Sequence, residues 1–483
     1  MNEPQRPTGM AYEYATRSLA GSLKGRSYNS AMSRGSEPAP VRAGTHEVAR
    51  RIFEHALQTT TIGEAFRKHV SSERGILRVS EDLYDLNAYS RVFLISLGKA
   101  AHSMLTAFEQ QAGEQFTGIV ASSLQPDFQL RGFRYFQGGH PLPNQESIRA
   151  ADAMLKSVAT LNENSLAIFL LSGGGSATAE KPIDEQVSLA DLVASYSALV
   201  HSGAPIAEIN AIRKHLSALK GGRLAQAAYP AQQVSLLVSD VPDNMPDALA
   251  SGPTMPDSTT VDTCYQIATQ RRLSPGSKDP SSLVEQFPPA VREVFERRGL
   301  EESAKADDPA FVRARWWTIL SNARLLEAAK QEAERLGWVV HIDNGCDDRD
   351  YRYAARYLLA RLRALRMAEA RVCLLSGGEV TVRVENGGTG GRNQQFALYC
   401  ARKIAGKEIS VLSAGSDGID GNSPAAGAIS DGSTIARAQA RGLDAAAHLR
   451  RFDAYPFFEA LGDSLVTGPT GNNLRDIRVL LAP

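Results

Sequence analysis

The sequence predicts a two-domain α/β fold in which helices cover both faces of each sheet. Three observations lead to this prediction. The chain has 483 residues, 43% of them hydrophobic, which is enough for two or three domains with sizeable cores. Short, nearly continuous apolar segments alternate with helical patterns, which is typical of parallel strands buried on both faces. Several of these segments end in small residues and run into a helix, so right-handed crossovers and an open doubly wound sheet are expected.

Regular structure is expected to begin near His46. An amphipathic helical pattern runs from Val48 to Leu57. Six apolar strands follow, each leading into a loop or helix rich in small residues: 91–98, 166–171, 234–240, 316–322, 371–375 and 409–415. In open α/β sheets, ligands bind outside the carboxyl ends of the strands. The loops after these six strands are therefore the candidate sites.

The alternation of strands and helices is interrupted between about Leu273 and Asp308, where proline and charged residues are frequent. We interpret this segment as a loosely packed connection with short helical pieces. It separates a first α/β domain over residues 46–285 from a second over 308–483, with a linker over 286–307. We expect the active cleft to lie between the two domains, as in many enzymes of this class.

The first 45 residues differ in composition from the rest of the chain. They are rich in Ser, Gly, Pro and Arg, and no acidic residue occurs between Glu13 and Glu37. Two interpretations stay open: a disordered tail, or an organelle transit peptide. The first agrees with a cytoplasmic protein, and the second with a mitochondrial one.

Composition and motifs exclude several classes of function. Lys plus Arg is 53 and Asp plus Glu is 53, so neither nucleic acid nor an anionic membrane is an expected partner. The four cysteines are far apart and form no CxxC, which argues against a zinc site or a disulfide framework. No apolar run is long enough for a membrane helix. The chain also lacks the phosphate-loop, GxGxxG, HExxH, GxSxG and protein-kinase signatures.

Glycine-rich loops and cations are the first candidate site features. In Leu171-SGGGSA, three glycines after an apolar strand let backbone N–H groups approach an anion, although a plain tight turn would have the same pattern. Leu375-SGGE repeats this pattern in the second half of the chain. Arg392 lies on the glycine-dense loop Gly387-GTGGRNQQ, and Lys99 follows Gly98 at another strand end. Both cations suit phosphate or carboxylate.

Acidic residues at strand ends are the second set. Asp240 ends the apolar run from Val234, while Asp417 and Asp420 share the segment Ser416-DGIDGNS. Magnesium takes one or two carboxylates together with phosphate oxygens, so these residues are candidate ligands. Turn formation is the alternative, and it is strongest for Asp420 because a glycine follows.

Ten segments, taken in order, resemble the glycerate kinases whose carboxy-terminal part is the MOFRL domain, some of whose relatives are called hydroxypyruvate reductases. The resemblance covers nearly all of the chain from His46 onward, with the MOFRL region at about 367–480. The segments are Leu97-GKAA, Gly139-HPLPN, Leu171-SGGGSA, Ile209-NAIRKHLSALKGGRLA, Val238-SDVPDN, Ala250-SGPTMPDSTT, Leu375-SGGEVTVRV, Gly390-GRNQQFAL, Ser413-AGSDGIDGNSPAAGA and Thr467-GPTGNN. Two departures stand out: similar proteins often have SDV-x-GD, whereas this chain has Ser239-DVPDN with the glycine replaced, and they often have HPxPD, whereas Asn144 stands here in place of Asp.

The resemblance implies a Rossmann-like first domain, a second α/β domain, and ATP-dependent phosphorylation of D-glycerate. In the family, the Lys and Arg that match Lys99 and Arg392 are regarded as catalytic. We further predict that Asp417 orients or deprotonates the attacking hydroxyl, and that Mg²⁺ is held by Asp240 and Asp420. ATP phosphates are assigned to backbone groups of Ser172, Gly173, Gly174, Gly175 and Ser176. The substrate is assigned to His140, Arg213, Ser376, Gly377 and Asn393.

Other readings of the function stay open at this point. The product is expected to be 2-phosphoglycerate, with 3-phosphoglycerate as the alternative. An NAD(P)H-dependent hydroxypyruvate reductase is a further alternative, although the dinucleotide fingerprint is missing. The sequence leaves the oligomeric state open, with a homo-oligomer as one alternative.

Overall fold

The computed structural model describes residues 44–113, 116–272, 281–384 and 387–483. The predicted α/β class is confirmed. The predictions made for residues 1–45 lie outside the described chain, apart from Gly44 and Thr45. Fifteen strands of the described chain form three sheets: β1 Val70–Glu73, β2 Ile76–Val79, β3 Asp82–Asp85, β4 Arg91–Leu97, β5 Thr117–Ser122, β6 Phe133–Gln137, β7 Ser165–Ser172, β8 Gln232–Val238, β9 Ala314–Leu320, β10 Val339–Ile342, β11 Val372–Gly377, β12 Ser410–Gly415, β13 Gly427–Asp431, β14 Ser464–Leu465 and β15 Asp476–Ala482.

The helices of the described chain lie mainly between these strands and against the faces of the sheets. They are α1 Thr45–Thr59, α2 Ile62–His69, α3 Ala101–Ala112, α4 Gln145–Val158, α5 Gly175–Thr178, α6 Leu189–His201, α7 Ile206–His215, α8 Arg223–Ala228, α9 Val261–Thr269, α10 Leu283–Gln286, α11 Pro289–Glu296, α12 Asn322–Arg335, α13 Tyr351–Arg366, α14 Arg392–Ile404, α15 Thr434–Ala440, α16 Ala445–Arg450 and α17 Ala454–Leu461. Short 3₁₀ turns add Leu86–Ala88, Pro246–Ser251 and Pro309–Phe311. No helix among these is both long and apolar enough to cross a membrane.

The first large sheet is fully parallel, with strand order β6-β5-β4-β7-β8-β9. Numbered within the sheet, this is the order 3-2-1-4-5-6 of the doubly wound nucleotide-binding folds. Every residue of β7 is buried, because helices cover both faces. The direction in which successive strands are added to the sheet reverses between β4 and β7, so the crevice beyond these two strands is the expected ligand site. We call this sheet and its helices the first lobe.

The second large sheet differs from the prediction. Its order is β10-β11-β15-β12-β13-β14, and only the β10–β11 pair is parallel. The carboxy-terminal strand β15 inserts between β11 and β12 and runs antiparallel to both. The expectation of a parallel second sheet is therefore wrong, because the alternation of apolar runs and helices does not reveal where a last strand inserts. We call this sheet and its helices the second lobe.

The predicted linker is not loosely packed. Among the described residues, 281–307 include α10 and α11, which pack against α6. Phe287 and Val291 are buried there in a helical core of their own with Leu192 and Ile212. The sequence predicts short helical pieces in this segment. It does not predict that the apolar residues of α11 pack into a buried hydrophobic core.

The division between the lobes does not follow chain order. Strand β9 pairs with β8 in the first lobe, although it follows the predicted linker. Helix α1 packs on α12 and β15 of the second lobe, although it opens the described chain. Each lobe is thus completed by a segment from the other half of the sequence.

Candidate active site

The crevice beyond β4 and β7 is closed by bonds between two loops. The Lys99 N–H donates to the Gly173 carbonyl at 2.8 Å, and the Ala100 N–H donates to the Ser172 hydroxyl at 3.1 Å. The same hydroxyl donates to the Leu97 carbonyl. These bonds hold the turn after β4 against the glycine loop after β7, so both loops present their outer faces to one crevice.

Gly173 is needed because Asp240 lies against it. A Cβ built on Gly173 would be 1.8 Å from Asp240 Oδ2. Asp240 follows β8, the next strand of the sheet, and no side chain of the described residues donates a hydrogen bond to its carboxylate. Burial raises the pKa of Asp240, while the charges of Lys99 and Arg475 oppose the rise. The carboxylate is therefore available to a cation or to a ligand.

Gly174 leaves room for two side chains of the crevice. A Cβ there would meet Lys99 Cγ at 2.9 Å and His140 Nδ1 at 3.4 Å, and its φ of +81° also favours glycine. Burial and the nearby charge of Lys99 lower the pKa of His140. In the described chain, the N–H groups of Gly173 and Gly174 have no protein acceptor, and the Lys99 ammonium has no ion pair. Unpaired donors beside a cation form an anion site.

Residues from both lobes line this crevice, which has a volume of about 250 Å³ and which we call the Lys99 cleft. The first lobe contributes Lys99, Ser172, Gly173 and Asp240, and the second contributes Asp417, Ile419 and the loop Pro469–Asn473. A larger neighbouring cavity of about 700 Å³, the Arg392 pocket, is also lined by Asp417 and Ile419. The two cavities share these two lining residues, and each is lined by one cation, Lys99 from the first lobe and Arg392 from the second.

Two carboxylates hold Arg392, the first residue of α14. Its Nε and Nη2 donate to Asp476 at 2.7 and 3.0 Å, and Nη2 also lies 2.8 Å from Glu379 Oε1. Burial alone would lower the pKa of Arg392, but the hydrogen bonds and charge of Asp476, with the charge of Glu379, raise it. The Asp476 side chain is 1% exposed and that of Glu379 is 31% exposed. Asp476 is thus a fixed support, and Glu379 faces the pocket.

The cleft carboxylates influence one another. Burial raises the pKa of Glu379, and the charges of Asp476 and Asp240 raise it further. Burial also raises the pKa of Asp417, against the hydrogen bond from the Ile419 N–H. These shifts favour binding of a positive charge, such as a metal ion, among the carboxylates.

The second glycine loop does not form an anion cradle. The Gly377 N–H donates to Asn344 Oδ1 at 2.8 Å, and the Glu379 N–H donates to Asp347 Oδ1 at 2.9 Å. Ser376 is fully buried beside Cys346. The assignment of Ser376 and Gly377 to substrate therefore disagrees with their contacts, because side chains of the protein already take these donors.

Asp420 and Asn393 are also structural. Asp420 accepts hydrogen bonds from the backbone N–H groups of Asn393 and Gln394, and from both of their side-chain amides. Asn393 also accepts from Ser413 and is 1% exposed. With four donors on its oxygens, Asp420 caps the start of α14 and does not fit the predicted role of a metal ligand. Asn393 likewise has no free group for substrate.

Arg213 lies outside both cavities described above. Its guanidinium stacks on Tyr196 at 4.8 Å, in a buried group with Glu180 and Lys220. Burial lowers the pKa of Arg213. Ser176 turns its hydroxyl to Ser251. The structure thus brings together Lys99, His140, the glycine loop, Asp240, Asp417 and Arg392, but it does not bring Arg213 to the cleft lining.

Sequence reasoning missed three residues that shape the site. Glu379 stood inside the quoted motif SGGE, but only its glycines were considered. Asp476 and Arg475 belong to the last strand and the turn before it, and Arg475 holds Asp347 in a bidentate pair at 2.6 and 2.7 Å. A charged pair directly before an apolar strand was the available signal.

The fold and the cleft are those of a two-lobed α/β enzyme with a candidate anion site between its lobes. Comparison with known proteins narrows this class. Residues 48–286 match the family model described as Domain of unknown function (DUF4147), and residues 372–476 match the MOFRL family. A protein of Thermotoga maritima named D-glycerate 2-kinase is 36% identical over 83% of this chain and 92% of its own length.

Two further comparisons, one with a relative and one with a solved structure, also cover most of both chains. A protein of Agrobacterium vitis named putative hydroxypyruvate reductase is 35% identical over 81% of this chain and 99% of its own length. A crystal structure of glycerate kinase from Thermotoga maritima superposes with a TM-score of 0.77 at 32% identity, over 91% of this chain and 99% of that one. The chain belongs to the glycerate kinase family that carries a MOFRL region.

Proposed function

We propose that this chain transfers the γ-phosphoryl group of ATP to a hydroxyl of D-glycerate, giving 2-phosphoglycerate. The observation that carries the proposal is the meeting of Lys99, the unpaired N–H groups of Gly173 and Gly174, and Asp240 at the switch point of the first sheet. The name D-glycerate 2-kinase of the Thermotoga relative supports both the substrate and the position. Phosphoryl transfer requires mainly positioning and neutralisation of charge, which this arrangement offers.

The glycine loop is assigned to the phosphates of ATP. The N–H groups of Gly173 and Gly174 have no acceptor in the described chain, Gly173 lines the cleft, and Lys99 adds a positive charge beside them. Glycine at both positions keeps the backbone open to a close approach. In this assignment, Lys99 neutralises the negative charge that develops on the transferred group.

Magnesium is assigned to Asp240. Its carboxylate lies against the glycine loop and accepts no hydrogen bond from a side chain of the described residues, so its oxygens are available to a hard cation. No group of three or more metal-ligating side chains occurs in the described part of the chain. This fits a magnesium ion held by one or two carboxylates together with nucleotide phosphates. The bound ion would neutralise phosphate charge.

The substrate is assigned to the junction of the two cavities. Asp417 lines both of them, and burial raises the pKa of its carboxyl, which suits a group that accepts a proton from the attacking hydroxyl. Arg392 faces the same junction and is assigned to the negative charge of glycerate or of the transferred group. His140, beside Lys99 at Gly174, is assigned to a substrate oxygen.

The test is ATP-dependent phosphorylation of D-glycerate, with the product resolved by phosphorus NMR. A parallel assay with NADH and hydroxypyruvate addresses the activity that the Agrobacterium name suggests. Appearance of 2-phosphoglycerate supports the proposal, whereas 3-phosphoglycerate would keep the reaction class and reverse the pose of glycerate. NADH oxidation without phosphorylation would overturn the kinase assignment.

Two variants then test the site. Lys99→Met removes the cleft cation, and Lys156→Met removes an exposed lysine at the end of α4 in the same lobe. The first should lower kcat/KM by at least about a hundredfold, in the range found when a single group that stabilises the transition state is removed. The second should match wild type. Equal activity of the two variants would exclude Lys99 from the reaction.

A further inference from the structure

A separate cavity of about 390 Å³ opens at the carboxyl ends of β5 and β6, and we call it the aromatic pocket. Most of its lining comes from the loop between these strands. Its walls are His102, Leu124, Gln125, Pro126, Asp127, Phe128, Gln129, Tyr135, Phe136 and Gln137. None of these residues has a role in the cleft described above, except that Leu124 lines both cavities.

The position of the aromatic pocket relates it directly to the phosphate-binding loop. Strands β6, β5, β4 and β7 are consecutive neighbours in the sheet, and all end at the same edge. Adjacent strands are about 4.8 Å apart, so the space beyond β5 and β6 is roughly 10–12 Å from the glycine loop beyond β7. Leu124 lies between the two sites. A ligand with a flat group at one end and phosphates at the other could occupy both.

The walls of the aromatic pocket are apolar and aromatic. Leu124 and Phe128 are 57% and 59% exposed, which is high for two large apolar side chains of one short loop. His102 stacks on Tyr135 with ring centroids 5.7 Å apart and an interplanar angle of 17°. The His102 Nε2 bonds to the Leu124 carbonyl, which ties this stack to the loop. Such a surface suits the face of a flat heterocycle.

The polar groups of the aromatic pocket are mostly neutral amides. Gln125 Nε2 donates to Gln137 Oε1 at 3.3 Å, so Gln125 Oε1 and Gln137 Nε2 have no partner in the described chain. Reversing both amide orientations would still leave one acceptor and one donor facing outward. Asp127 is the only charged side chain of the lining. Paired donor and acceptor groups with little net charge match the hydrogen-bonding edge of a nucleobase, not a phosphate or a carboxylate.

We propose that the aromatic pocket binds the purine base of the nucleotide whose phosphates occupy the glycine loop. This inference rests on the proposed kinase function, and it adds a subsite that neither glycine loop nor cation supplies. The base stacks against Phe128 and Leu124, and the amides of Gln125 and Gln137 read its edge. Adenine fits this pair, because its amino group donates to Gln125 Oε1 while its ring nitrogen accepts from Gln137 Nε2.

The experiment compares Phe128→Ser and Gln137→Leu with wild type. A control variant, Met367→Ser, changes a side chain that is 89% exposed at the end of α13. For each protein, the KM for ATP, the KM for D-glycerate and the ratio of kcat/KM with ATP to that with GTP are measured. Inhibition by inorganic tripolyphosphate, which has no base, is measured in parallel. Thermal unfolding confirms that each variant is folded.

We expect Phe128→Ser to raise the KM for ATP about tenfold or more, since stacking of one base on an aromatic ring has an effect of this size. Gln137→Leu should reduce the preference for ATP over GTP at least severalfold. The KM for D-glycerate and the inhibition by tripolyphosphate should stay at the wild-type values. Met367→Ser should change none of these quantities.

The outcomes separate this inference from the proposed function. If wild type phosphorylates D-glycerate but Phe128→Ser leaves the KM for ATP and the ATP preference unchanged, the base subsite is overturned while the kinase stands. An equal loss of tripolyphosphate and ATP affinity would also overturn it, because the effect would then lie in the phosphate site. If wild type transfers no phosphate, the kinase proposal fails, and calorimetric binding of ATP to wild type and Phe128→Ser still decides the subsite.

Discussion

Replacing Gly173 with alanine should displace one carboxylate and leave the fold intact. A Cβ at this position would lie 1.8 Å from Asp240 Oδ2, so the carboxylate must move by about 1.6 Å to reach an ordinary contact of 3.4 Å. The φ of Gly173 is not among the positive values, so alanine fits the backbone. Misplacement of a reacting group by about 1 Å can cost roughly a hundredfold in rate. We therefore expect kcat/KM to fall about a hundredfold.

The assay is steady-state phosphorylation of D-glycerate with ATP and magnesium, together with the midpoint of thermal unfolding. Gly63→Ala is the matched control, because a Cβ on Gly63 would meet nothing within 4 Å. It should keep wild-type activity. Activity of Gly173→Ala within threefold of wild type, at an unchanged unfolding midpoint, would refute the reasoning, since Asp240 must have moved without consequence.

Three further predictions concern buried charges. Burial raises the pKa of Asp420 to about 6, so protonation of this carboxyl contributes stability that is complete below its unfolded pKa near 4 and is lost as pH rises through about 6; the two-unit shift corresponds to about 3 kcal/mol. Urea denaturation should show the stability of wild type relative to Asp420→Asn declining from pH 4 to 7, and a constant difference would contradict this. Lys220→Met removes the ion-pair partner of the buried Glu180 carboxylate, so the free energy of unfolding should fall by about 3–5 kcal/mol, and adding Glu180→Gln should recover most of it. Asp476→Asn weakens the bidentate support of Arg392, so kcat/KM should fall at least about tenfold, and an unchanged value would show that Glu379 alone positions the arginine.

Much of the first lobe could be predicted from local sequence. The apolar run that begins at Arg91 became β4, and the run before Ser172 became β7. In a parallel sheet, all strand ends meet at one edge, so Lys99, Gly173 and Asp240 could be placed together from chain order alone. Their mutual contacts in the cleft follow from that rule.

The second lobe shows where such reasoning stops. Strand β15 is a plain apolar run, and only the packing of the whole sheet decides that it inserts antiparallel between β11 and β12. Asp420 precedes a glycine, which is typical of a turn residue. In the structure it is buried and accepts hydrogen bonds from the first N–H groups of α14, so it caps that helix. The free N–H groups after β7 and the occupied ones after β11 come from nearly identical sequences. The difference arises from Asn344 and Asp347, which accept the hydrogen bonds of the N–H groups after β11. Both residues are distant in sequence from the glycine loop, so the local motif does not reveal them.

The crossing of the chain between lobes has a mechanical consequence. In the described chain it crosses twice, between α1 and α2 at Thr60 and between β9 and α12 at Ser321, and Thr60 and Leu320 line one groove. Two chain segments that cross side by side define a hinge axis. We therefore expect rotation about this axis to dominate the relative motion of the lobes.

The hinge is also tethered to the cleft. Asn472 lines the Lys99 cleft and donates from Nδ2 to the Thr60 carbonyl at 2.7 Å. Rotation of one lobe about this hinge should therefore move the loop of Asn472 that lines the Lys99 cleft. A ligand that fixes this loop would therefore also fix the angle between the two lobes. Binding in the cleft and rotation about the hinge would be coupled through the Asn472–Thr60 hydrogen bond.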